Sequence, residues 1–141
     1  MGLRYNHCMS KQSFDGKECF NFLHYIGCRI EKSDKESACL SIEVHKEHLQ
    51  HLGYIHGGVI STLADNTGWF VLEPYLNEKQ TAVTQELTVN YLTPGKGKKV
   101  SSIGKLVKLG KSMAFVSVEV FCDEKLIATS SSHLCILDKK D

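Results

Sequence analysis

The chain reads as an α+β protein, with one long helix set against a mostly antiparallel sheet. Two observations predict this class. From about Gly57 to Leu72 the sequence runs as an apolar helix carrying Val59, Ile60, Leu63, Trp69, Phe70 and Leu72. Beyond Gln80 the character switches to strands, with β-rich runs at about 80–92, 98–108, 112–122 and 125–137. A helix and strands that segregate along the chain in this way belong to the α+β layout rather than to alternating βαβ units.

Taken in order, residues 1–10 are polar and aperiodic and are expected to fray. Residues 13–26 have mixed helical spacing through Phe14, Phe20, Leu23 and Ile26, which predicts a short helix ending at Gly27. Residues 28–32 suit a short strand, and Lys32 to Glu36 a polar turn. Ala38, Leu40, Ile42 and Val44 alternate with Cys39, Ser41, Glu43 and His45, which predicts a strand with one face in water. A histidine-rich loop then leads to Gly57-Gly58, and Pro74 is a natural stop for the long helix. Gly68 inside that helix costs about 1 kcal/mol relative to Ala, and close packing of another backbone or of a sheet is the expected reason. In the next run Val83, Gln85, Leu87, Val89 and Tyr91 share one parity, and Thr84, Glu86 and Thr88 the other. Thr93 to Gly97 is a turn, and the connections at 109–111 and 122–124 have hairpin length.

Composition narrows the function classes. A length of 141 residues with 42% hydrophobic content predicts one soluble domain over 1–141, with its motif-bearing core at about 40–137. A net charge of +1 argues against wholesale nucleic-acid or membrane binding. The lysines between 96 and 111 lack the interleaved aromatics of a nucleic-acid site. No run approaches the roughly 20 apolar residues of a membrane span, and the first 30 residues lack a secretory layout. The six cysteines form no C-x-x-C and read as structural or incidental thiols, which predicts a reducing, cytoplasmic setting. His45, His48 and His51 lack an obvious fourth ligand, so no metal is expected.

The chemistry concentrates in the long helix. Asp65 is a lone carboxylate in an apolar run, where a charge is costly unless partnered or used. Gly57 and Gly58 place bare N–H groups at the positive end of the helix, where an oxyanion is stabilised. The two features lie eight residues apart, about 12 Å along the axis at 1.5 Å per residue. Both must approach a reacting centre to about 3 Å, so one chain cannot bring its own pair onto one carbonyl. A two-fold dimer with antiparallel helices can pair Gly57 of one chain with Asp65 of the other. His56 has two readings, a brace for the turn or a proton shuttle.

These residues resemble a family. Leu52-Gly53-Tyr54-Ile55-His56-Gly57-Gly58 followed by Leu63-Ala64-Asp65-Asn66, the run Leu87 to Pro94, the stretch Val107 to Ser112, and Leu126 to Thr129 are similar to the hotdog-fold acyl-CoA thioesterases of the PaaI-like branch. The resemblance implies a sheet wrapped round the central helix, assembled as a dimer or a dimer of dimers. It implies that Asp65 is a general base or nucleophile and that the Gly57 N–H polarises a thioester carbonyl. It places Gln50 where the family has an Asn that orients water or carbonyl, and Thr84 where a Ser or Thr positions the attacking water. Coenzyme A contacts would fall on Tyr91, Thr93 and Lys96, and on Lys108, Gly110, Lys111 and Ser112. The expected activity is hydrolysis of an acyl-CoA thioester, with coenzyme A as part of the substrate and no metal or redox cofactor. Two other readings stand beside it, a non-catalytic acyl-CoA or lipid-binding module and an enoyl-CoA hydratase or dehydratase.

Overall fold

The computed structural model describes residues 22–140. The stretch expected to fray and most of the helix expected over 13–26 lie outside the described residues. Within them that helix is α1 (Phe22–Tyr25), and Gly27 closes it with φ +70°, a conformation that favours a residue without Cβ. There follow β1 (Cys28–Ser33), β2 (Ala38–Glu43), α2 (Gly57–Leu72), β3 (Gln80–Tyr91), β4 (Lys99–Leu109), β5 (Met113–Cys122) and β6 (Lys125–Asp138). Between β1 and β2, the Asp34 carboxylate accepts the N–H groups of Glu36 and Ser37. Partial desolvation works against its ionisation, yet those hydrogen bonds and Lys32 hold it below its ordinary value.

The six strands form one antiparallel sheet in the order β1-β2-β4-β5-β6-β3. β4, β5 and β6 are joined by hairpins, but β3 crosses to the far edge and pairs with β6. α2 lies across the sheet and packs on β2 through β6. Its bounds coincide with the apolar run, and Pro74 falls in the 3-10 turn Glu73–Tyr75 that follows. Ile60, Leu63, Ala64, Phe70, Val71 and Leu72 bury its inner face.

Two glycines set how closely α2 and the sheet approach. A Cβ at Gly68 would stand 2.9 Å from Ser132 Oγ, so the backbone of α2 rests directly on β6. A Cβ at Gly104 of β4 would stand 2.6 Å from Val71 Cγ2 and 2.8 Å from Thr67 Cγ2. The close packing expected at Gly68 is therefore present, and β4 mirrors it. Thr67, fully buried between these strands, donates to the Leu63 carbonyl at 2.6 Å and shares a hydrogen bond with Ser102 Oγ.

Three expectations need correction. β2 does not have one face in water, since Ala38 through Ile42 are all buried. Cys39, Ile103 and Phe121 form a second apolar cluster on the face away from α2, and beside it the buried Ser41 hydroxyl donates to Glu31. The single parity read along β3 also fails. Thr84 pairs with Leu134 and Glu86 with His133, so Gln85 is an extra, bulged residue and the alternation restarts after it. Val83 consequently lies on the opposite face from Leu87, Val89 and Tyr91. Finally, Cys28, Cys122 and Cys135 are free thiols but Cys39 is disulfide-bonded, so the cysteines are not all thiols. Among the described residues no helix is long and apolar enough to cross a membrane, and no group of three or more His, Cys, Asp or Glu is placed to hold a metal.

Candidate active site

The loop before α2 is pinned from inside. His48 is buried; its Nδ1 accepts the His45 N–H at 2.9 Å and its Nε2 lies 3.0 Å from the Ile26 carbonyl. The His48 carbonyl in turn accepts the His56 N–H at 2.8 Å. His56 is thereby fixed as the N-cap of α2, with extended backbone and its ring Nδ1 accepting the Gly58 N–H at 2.8 Å. Its carbonyl accepts from Val59 at 3.0 Å and from Ile60 at 3.3 Å. Of the N–H groups at 56–59, only that of Gly57 makes no hydrogen bond among the described residues. Both glycines were candidates for carrying a bare donor, but the His56 ring uses Gly58. The second glycine has a steric role, because a Cβ there would stand 2.9 Å from His56 Nδ1 and displace the cap.

Two turns further along the helix, Asp65 is half-buried on the side facing β3. Thr84 Oγ1 donates to Asp65 Oδ1 at 2.7 Å. The bulge at Gln85 makes that contact compatible with the rest of β3, because it lets Thr84 and Leu87 face the helix together. With regular alternation, a strand that turned Leu87, Val89 and Tyr91 inward would have turned Thr84 outward. Glu86, on the outer face, instead pairs with His133 at 3.5 Å.

A groove of about 470 Å³ opens at the Gly57 end of the helix, lined by Gln50, Leu52, Tyr54, Ile60, Tyr91 and Thr93 among others. Gln50 Oε1 accepts the Leu52 N–H, which leaves its amide nitrogen as the group available to a ligand. Tyr91 crosses from the end of β3 to the first turn of α2, where its hydroxyl meets Ser61 Oγ and donates to the Gly57 carbonyl at 3.1 Å. A second groove of about 490 Å³ shares Tyr54, Pro94 and Gly95 with the first and adds Lys96, Cys122, Asp123, Glu124 and Lys125. Burial, and then the neighbouring Asp123 charge, push the Cys122 thiol above its ordinary value.

The fold thus gathers Gln50, His56, Gly57, Tyr91, Thr93 and Lys96 at one end of the sheet. It does not bring the remaining candidates to them. Lys108 near the end of β4, with Gly110, Lys111 and Ser112 in the β4–β5 connection, lies at the opposite end from Lys99 and Cys122. At about 3.3 Å per residue, the length of β4 separates the two groups by roughly 30 Å within one chain. Ser61 and Lys125 escaped the reading of the sequence. Ser61 had a signal, since it lies one helical turn after Gly57; Lys125 had none.

Residues 52–128 match the thioesterase superfamily. The chain belongs to that superfamily. Over 81 residues it is 31% identical to human acyl-coenzyme A thioesterase 13, a match spanning 56% of each chain. It is 24% identical over 116 residues to the 1,4-dihydroxy-2-naphthoyl-CoA hydrolase of Listeria monocytogenes, covering 82% of this chain and 94% of that one. Among solved structures, a thioesterase family protein from Silicibacter pomeroyi superposes with a TM-score of 0.79 at 24% identity, over 83% of this chain and 89% of that one. A Bacillus halodurans protein solved with CoA gives 0.69 at 26% identity, over 70% and 66%. The long helix wrapped by an antiparallel sheet is the hotdog fold of these thioesterase neighbours.

Proposed function

We propose that the protein hydrolyses an acyl-CoA thioester to a free carboxylic acid and coenzyme A, in a site built from two copies of the chain. The observation that carries the proposal is the pairing of a carboxylate held by a hydroxyl, Asp65 with Thr84, with the Gly57 N–H at the start of the same helix, unpartnered among the described residues. Asp65 and Gly57 are separated along α2 by about 12 Å, too far to serve one carbonyl. A two-fold axis that exchanges them supplies Gly57 from one protomer and the partner's Asp65 to each site. The same axis turns the sheet end for end. The partner's Lys108–Ser112 connection then comes to the end where Tyr91, Thr93 and Lys96 lie. β3, a 12-residue edge strand unpaired on its outer side among the described residues, offers a second copy a backbone to pair with.

In this reading the thioester carbonyl oxygen sits on the Gly57 N–H, with the Gln50 amide as a second donor. Asp65 acts as general base rather than nucleophile. Thr84 donates its hydroxyl hydrogen bond to Asp65, so its oxygen can accept a hydrogen bond from a water whose other proton points at the carboxylate. The water oxygen bonds to the carbonyl carbon and its proton passes to Asp65. The tetrahedral oxyanion then collapses, the C–S bond breaks, and the proton returns from Asp65 to the leaving thiolate. The mechanism draws on no metal or redox cofactor. The first groove takes the pantetheine arm, and the lysines of the adjoining second groove, Lys96 and Lys125, take the phosphates of the nucleotide.

Thiol release from a panel of aromatic and short-to-long aliphatic acyl-CoA esters tests the assignment, with wild type beside Asp65→Asn. Hydrolysis by wild type, reduced about 10²–10⁴-fold in the variant, is the expected result. A folded wild type that binds acyl-CoA without releasing thiol would show a binding module instead. Retained turnover in Asp65→Asn would remove Asp65 from the chemistry.

A further inference from the structure

We infer that Tyr91 and Ser61 form a positioning pair for the oxyanion donor. They hold the first turn of α2 so that the Gly57 N–H faces the groove in one orientation. The inference rests on the proposed thioesterase reading for its kinetic consequence, but its geometry stands without it.

Tyr91 is 54% exposed, yet its hydroxyl is committed at both ends. It donates to the Gly57 carbonyl, and its oxygen accepts from Ser61, the residue one turn on. In an α-helix the Gly57 carbonyl is also the acceptor for the Ser61 N–H, so the phenol adds a second donor to that carbonyl. It also diverts the serine hydroxyl from back-bonding to the same oxygen. The ring lies against Gly57 itself, its Cε1, Cζ and hydroxyl 3.4–3.5 Å from where a Cβ would be. Three contacts therefore converge on one glycine, the residue with the widest backbone freedom and the one whose N–H is left for a ligand.

The pair also links two parts of the site. Tyr91 ends the strand that carries Thr84, the residue oriented on Asp65, so the oxyanion turn and the base-orienting strand are fastened to each other. A donor stabilises a developing charge only if it is oriented beforehand, and a displacement of 1 Å at such a position can cost about 10²-fold in rate. Tyr91 consequently acts on the chemistry through Gly57, in addition to lining the groove. That separates its role from a simple contact with coenzyme A.

Tyr91→Phe keeps the ring and the groove wall and removes only the hydroxyl. The expected result is a kcat lowered about tenfold with KM within twofold of wild type. Ser61→Ala should give a similar fall, and the double variant should fall no further than the more affected single one. A raised KM with kcat preserved would make Tyr91 a binding contact and overturn the proposal, as would additive losses. A second readout needs no turnover. Amide hydrogen exchange at Ser61, whose N–H bonds the Gly57 carbonyl, should quicken at least fivefold in Tyr91→Phe, while exchange at Leu63 and Ala64 stays unchanged. Unchanged exchange at Ser61 would refute the positioning even if activity fell. Faster exchange in a protein with no hydrolysis of any acyl-CoA would uphold the positioning while the thioesterase reading failed.

Discussion

The inner and outer faces of α2 are built from the same sixteen residues and follow opposite rules. Inward, Leu63 and Ala64 are fully buried, Gly68 rests on β6, and the hydroxyl of Thr67 is consumed by Leu63 and Ser102. Toward β3, Gly57, Ser61 and Asp65 recur at intervals of four, and each meets a polar group brought by β3: the Tyr91 hydroxyl for the first two and Thr84 for the third. The inner face closes on itself and stores stability. The outer face stays half-open, with the Gly57 N–H unpartnered among the described residues and Asp65 half-buried beside Thr84. A helix this apolar tolerates a polar stripe because the stripe borders an edge strand and not the middle of the sheet.

That contrast predicts a double dissociation, and the largest effects come first. Asp65→Asn should abolish most turnover, by about 10²–10⁴-fold, while leaving the thermal midpoint within a few degrees of wild type. Leu63→Ala, two residues earlier, should cost about 2–5 kcal/mol of stability and leave kcat of the folded protein near wild type. Equal damage to stability from both would mean that the two faces are not separable. Gly104→Ala probes the inner face from the sheet side. The new methyl would meet Val71 and Thr67 well inside contact distance, and the expected loss is about 1–3 kcal/mol with no specific effect on activity. On the outer face, Thr84→Val conserves shape and deletes the hydrogen bond to Asp65. A kcat lowered about ten- to a hundredfold with KM unchanged is expected, because a hydrogen bond to a charged group contributes about 1.5–3 kcal/mol. A fall in stability without a fall in kcat would reduce Thr84 to a strand residue.

The inner face was legible in the sequence, since an apolar run between a His-Gly-Gly start and Pro74 leaves little freedom about where a helix begins and ends. The strand positions were legible for the same reason, as were the hairpins at Gly110 and Asp123. What was not legible is whatever depends on a neighbour. Nothing in residues 80–91 says that β3 pairs with β6 rather than β4, because alternation records faces and not partners. The bulge at Gln85 carried no glycine to mark it, yet it decides whether Thr84 can reach Asp65 at all. Cys39 looked solvent-facing because the apolar cluster it joins draws on Ile103 and Phe121, sixty and more residues away. Asp65, Gly57 and Thr84 were found by motif and resemblance. The exclusive claim of Gly57 to the free N–H followed only from seeing where the His56 ring goes.

The smallest expected effect bears on the unfinished outer face most directly. Lys96 and Lys111 are exposed and stand roughly 30 Å apart in one chain, so a single copy cannot apply both to one nucleotide. In the two-fold site proposed above, one lysine from each protomer would reach the same bound coenzyme A. Lys111→Glu should then raise KM for a coenzyme A ester about three- to tenfold at low salt. The effect should shrink as salt rises, since exposed charges are screened over about 10 Å at 0.1 M ionic strength. The N-acetylcysteamine ester of the same acid, which lacks the phosphates, should show no change. Lys96→Glu should behave alike, and the double variant should fall short of the product of the two single effects, because both would have lost one shared ligand. An equal change with both esters would dismiss the phosphate contact. A KM for the coenzyme A ester unmoved by either lysine variant would take away a support for the shared site.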